Sequence, residues 1–66
     1  MVTIHEVEKR LKAINEIKND DEAAHAMEDN LWCDVLEAIA SGAANPQKLA
    51  KAVLRSRECG FARWCA

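Results

Sequence analysis

No apolar run in these 66 residues approaches the roughly 20 that a membrane-spanning helix needs, and the first residues lack a signal-peptide pattern. A soluble, cytoplasmic chain is the expectation. Cysteine is sparse and odd in number. Cys33, Cys59 and Cys65 include no C-x-x-C pair, which argues against a disulfide-built secreted miniprotein and gives only a weak zinc signal. Reduced, buried thiols are the simpler reading. The only glycines, Gly42 and Gly60, cannot form a phosphate-cradling loop. There is no internal repeat, no low-complexity segment and no strand-like alternation, so the fold class is all-α.

What remains is a short chain with many small apolar residues. Half the sequence is hydrophobic, but twelve of those residues are alanine and three are cysteine. Chains this short bury only about 60% of their unfolded surface, so one thin core is expected, and self-association into a homo-oligomer would help it. The net charge of −2 hides a polarity. Residues 1–45 hold ten acids and four bases, whereas residues 46–66 hold five bases and one acid. Such a division can hold one chain's ends together, join neighbouring subunits, or present a basic face to an anion.

The spacing predicts a single domain, a small three-helix bundle with helices over 4–18, 21–41 and 46–58. Thr3 and Glu6 fit a capping box, Val2 and Val7 take the staple positions, and Ile4, Val7, Leu11, Ile14 and Ile17 form one stripe. Lys18 suits a last turn, and Asn19, Asp20 or Asp21 can cap the next helix. Gly42 is a natural left-handed stop, and Asn45 followed by Pro46 is a strong helix start. Leu49, Ala50, Val53 and Leu54 are expected to face inward, with Lys48, Lys51 and Arg55 opposite. The ending "FARWCA" places Phe61 and Trp64 in a tail expected to fold back on the bundle.

The second helix contains a conflict. At about 100° per residue, Met27, Leu31, Trp32, Val35, Leu36, Ala38 and Ile39 share one arc, while Asn30, Asp34, Glu37 and Ser41 lie opposite. Glu28 falls inside the apolar arc, with His25 at its edge and Asp29 beside it. An unpaired carboxylate there costs several kcal/mol or becomes neutral, so it needs a partner. Arg63 is the first candidate and Arg57 the second, as a bidentate pair that would pin the tail near Trp32 and Trp64. His25 would then meet Glu28 or Asp29. Alternatively Glu28 sits near the helix start and sees water. A third reading is a metal site of His25, Glu28 and Asp29 serving a metal-binding protein or metal-dependent hydrolase, although one chain is short of ligands. Cys33 and His25 are eight residues apart, roughly 12 Å along a helix, too far for a nucleophile–base pair. The basic third helix faintly echoes a DNA-binding regulator, but the acidic balance makes DNA an unfavoured partner.

The stretches "EAAHAMED" and "DVLEAIASGA" and the terminal "GFARWCA" resemble a group of small phage- and prophage-encoded helical proteins. These share an A-H-x-x-E-D stretch, a D/E-V-L-x-A-I-A helix end and a closing F-x-R-W-C/Y-A. The resemblance covers residues 22–66 and marks His25, Glu28, Asp29, Phe61, Arg63 and Trp64. It implies a phage accessory gene and brings no catalytic roles or cofactor with it. The expectation is a non-enzymatic protein that binds a host protein or a small anionic, nucleotide-like ligand in the host cytoplasm, as counter-defence. In one version, a ligand-sequestering oligomer, Lys48, Lys51, Arg55 and Arg57 from neighbouring copies would converge on phosphates, with Trp32 or Trp64 stacking a base.

Overall fold

The computed structural model describes residues 2–59. Three α-helices, α1 (Ile4–Glu16), α2 (Asp21–Ala40) and α3 (Pro46–Leu54), are followed by a 3₁₀ turn over Arg55–Glu58. Each helix packs on the other two as a three-helix bundle, and no strand occurs among the described residues. No described helix is long and apolar enough to cross a membrane.

The caps explain where the chain bends. Thr3 Oγ1 accepts the Glu6 N–H at 3.1 Å, and Asp20 Oδ1 accepts the Ala23 N–H at 3.2 Å, each satisfying a free donor in a first turn. The end of α2 is a complete Schellman closure. The Ala43 N–H reaches the Ala38 carbonyl and the Gly42 N–H reaches that of Ile39, both at 3.0 Å, with Gly42 at φ 94°. Pro46 starts α3 without a side-chain cap from Asn45, whose ψ of 62° departs from the usual capping geometry.

Three boundaries depart from the sequence reading. The first helix ends at Glu16, because Ile17 leaves helical geometry (φ −106°, ψ 14°) and its N–H closes an i−3 bond to Ile14 at 3.2 Å. Lys18 therefore lies in the turn and not on the helix dipole. The second helix stops at Ala40, with Ser41 as its cap. Residues 55–58, expected to be α-helical, are wound more tightly as 3₁₀.

The core draws Val7, Leu11 and Ile14 from α1; Ala24, Leu31 and Val35 from α2; and Leu49, Ala52 and Val53 from α3. Two leucines expected to point inward do not. Leu36 is 62% exposed and Leu54 40%. The apolar arc of α2 is wider than two small neighbouring helices can cover, so only its central stripe is fully enclosed. The tail expected to fold back, with Phe61 and Trp64, lies outside the described residues.

One long-range bond sets the α2/α3 register. The Trp32 indole N–H donates to Ser56 Oγ at 2.8 Å, and Ser56 is fully buried. Ser56→Ala removes the acceptor and should cost about 1 kcal/mol, lowering Tm by roughly 4–8 °C in a domain of this size. Trp32→Phe should lose a similar amount, and the two losses should not add. Additive losses in thermal melts would show that the bond contributes nothing.

Candidate functional site

Ala24, Glu28, Leu31 and Val35 are the buried residues of α2. Their 4–3–4 spacing is the a/d seam of a packed helix, which presents one line of side chains to both neighbours. Glu28 occupies a central position on that seam and is only 6% exposed. The water-exposed alternative is thereby corrected. The carboxyl is not unpaired, and no buried side-chain nitrogen or oxygen among the described residues lacks a hydrogen-bond partner. Arg63 and Trp64, expected beside it, lie outside the described residues.

The three residues of the suspected polar patch diverge. His25 is half-buried, and its Nδ1 stands 3.7 Å from Asp29 Oδ2, one turn along the helix. That is an ion pair only with a protonated imidazole, and the distance is too long for a hydrogen bond. Asp29 is largely in solvent, with its side chain 68% exposed, while Glu28 is enclosed. Consecutive residues point about 100° apart on a helix, so Glu28 and Asp29 face different surroundings. Among the described residues no group of three or more His, Cys, Asp or Glu side chains could hold a metal ion.

Cys33 is exposed, and its thiol donates to Glu37 Oε1 at 3.7 Å. The Glu37 carboxylate, together with desolvation and a smaller effect from the Asp34 charge, holds the thiol above its ordinary pKa. Negative neighbours disfavour the thiolate, which is the reverse of the environment that activates a nucleophilic cysteine.

The four cations read from the sequence, Lys48, Lys51, Arg55 and Arg57, are all exposed. Lys48, Lys51 and Arg55 recur at helical spacing and form one outward stripe on α3. Arg55 Nη1 comes within 3.8 Å of Glu8 Oε2 on α1. The two residues border a groove of about 390 Å³ between α1 and the 3₁₀ turn, also lined by Leu11, Lys12, Asn15, Glu58 and Cys59. Lys12 and Asn15 were missed in the sequence. Each lies one step or one turn from Leu11, on the stripe's flank, but only the packed bundle shows that this flank meets the 3₁₀ turn. Trp32 is half-buried and its N–H is already engaged by Ser56, so it braces the α2/α3 packing.

Two outcomes test these environments. If Glu28 pairs with Arg63, a cycle of Glu28→Ala, Arg63→Ala and the double variant should show coupling of about 1–3 kcal/mol in denaturant unfolding. Additive losses would assign the carboxyl to another partner. For Cys33, alkylation by iodoacetamide should be slower at neutral pH than for a free thiol, with its midpoint shifted up. Glu37→Gln should move that midpoint down, and an unmoved midpoint would discount the Glu37 charge.

Comparison with known proteins found no matching family model, no similar curated protein and no similar solved structure.

Proposed function

We propose that this chain is a non-enzymatic accessory protein of phage or prophage origin. It acts by binding an anionic group of a host factor in the host cytoplasm, as counter-defence. The anion is the phosphate of a small nucleotide-like ligand or the acidic surface of a host protein. The observation that carries the anion-binding part is the groove between α1 and the 3₁₀ turn, with Lys12 on one wall and Arg55 on the other, while the phage origin rests on the resemblance over residues 22–66. Lys51 and Lys48 extend the positive charge along α3.

The size and chemistry of the groove favour a compact guest. Its volume falls at the low end of small-molecule sites. Glu8 and Glu58 stand among the cations, which suits a ligand carrying both an anion and hydrogen-bond donors. The same acids, with the acidic α2 of the same bundle, repel a polymer dense in phosphates and disfavour DNA. The raised Cys33 thiol and the long His25–Asp29 contact supply no activated group for catalysis.

The test is direct titration of mononucleotides and dinucleotides, beside capture of proteins from host lysate on the immobilised chain. Arg55→Ala should weaken whichever interaction occurs by about tenfold or more, the usual scale for a charge-assisted hydrogen bond. Lys51→Glu should weaken it too. Affinity should also fall steeply between about 50 and 200 mM salt. Binding that ignores both substitutions and the salt would remove the groove from the account.

A further inference from the structure

The outer face between α2 and α3 is a second surface, on the far side of α3 from the charged groove. Helix α2 turns its Asp34 flank to α1, where Arg10 Nη1 meets Asp34 Oδ2 at 2.7 Å. Its Trp32 flank turns to α3, through the bond to Ser56. Leu36, one turn after Trp32, lies about 40° further round and so points outward beside α3. Arg55, the C-cap of α3, turns toward α1 through Glu8. Leu54 lies about 100° away on the opposite flank, with Ala50 one turn earlier. The two large apolar side chains most exposed in the described structure, Leu36 and Leu54, therefore share one face. Half-buried Trp32 and Ala50 and exposed Ala40 continue it.

The rims of this face carry opposite charge. Asp29 stands on the α2 side, 68% exposed. Arg57 stands on the α3 side, because the three-residue period of the 3₁₀ turn stacks it over Leu54. Trp32 opposite Ser56 sets the levels, and each step along α2 matches one step back along antiparallel α3. Asp29 is thus within about two residues of the level of Arg57, and Leu36 within about two of Leu54, an offset of roughly 3 Å.

We propose that this face binds a second copy of the chain. The two-fold axis runs parallel to the helices, so that α2 of each copy lies over α3 of the other. That axis preserves level, so Leu36 packs against the partner subunit's Leu54, and Asp29 meets the partner subunit's Arg57. Each contact occurs twice, as an isologous interface requires. The four helices run antiparallel to their neighbours, the usual packing of a bundle. The acidic rim of one copy covers the basic rim of the other, which a two-fold axis across the helices would not achieve. The proposal is independent of the groove between α1 and the 3₁₀ turn, which stays open in such a dimer.

Sedimentation equilibrium of the full chain from about 10 μM to 1 mM tests it, with far-UV circular dichroism as the folding control. The wild type should dimerise. Leu36→Glu should keep its helicity and weaken the dimer by about 100-fold, since two apolar contacts are lost per interface. Asp29→Arg should also dissociate it, and adding Arg57→Asp to the same chain should restore the dimer, because each charge then meets its opposite again. A wild type that stays monomeric throughout would overturn the proposal, whether the face is covered by the chain's own remaining residues or serves another protein. A dimer indifferent to Leu36→Glu would overturn it equally. Failure of the charge swap to rescue would overturn the placement of α2 over α3.

Discussion

A carboxylate on the buried seam of α2 is the constraint around which this small bundle is arranged. The seam has only four fully enclosed positions, Ala24, Glu28, Leu31 and Val35, and one of them carries a charge-capable group. In a core this thin, desolvating a carboxylate offsets the burial of one or two large apolar side chains. Such a group persists only where its polar atoms are satisfied, and Glu28 is engaged. Replacing a buried ion pair with apolar residues is often neutral or stabilising.

The limited core also explains why polar bonds mark the helix contacts. Arg10 and Asp34 join α1 to α2, Trp32 and Ser56 join α2 to α3, and Glu8 and Arg55 approach across α1 and the 3₁₀ turn. The first and last are exposed pairs, worth little in stability. Their value is directional: they assign each helix flank to one neighbour. The Trp32–Ser56 bond is stronger in this respect because its acceptor is fully buried.

The fold class, the helix starts at Thr3 and Pro46 and the stop at Gly42 were legible in the sequence, because each rests on backbone chemistry confined to a few residues. The inward position of Glu28 was legible for a similar reason, since a helical wheel needs only local spacing. Features that depend on neighbours were not. Leu36 reads as core until one sees that α1 and α3 enclose only the centre of the α2 arc. Lys12 reads as a solvated lysine until the 3₁₀ turn is placed beside it. Ser56 gives no local sign that it receives the Trp32 N–H from 24 residues away. The early end of α1 follows from the turn that Ile17 begins, which competes with a helical stripe still favourable at that residue.

Helix α3 is the shared wall of two outer surfaces with different chemistry. Toward α1 it offers Lys48 and Lys51, and its C-cap Arg55 continues their outward stripe beside a groove containing acids as well as bases. On its α2 flank it offers Leu54 and Ala50, on the same outer face as Leu36 and Trp32. One helix of nine residues can serve both because its buried stripe is narrow, held by Leu49, Ala52 and Val53. The two flanks are then free to differ. Apolar surface left at the α2 flank suits a contact large and dry enough to exclude water. Charge left at the α1 flank suits a guest that is small and hydrated at its edges. Under the two proposals, the separation would let a second copy occupy one surface while the other remained available to a ligand, so association and recognition would not compete for the same residues.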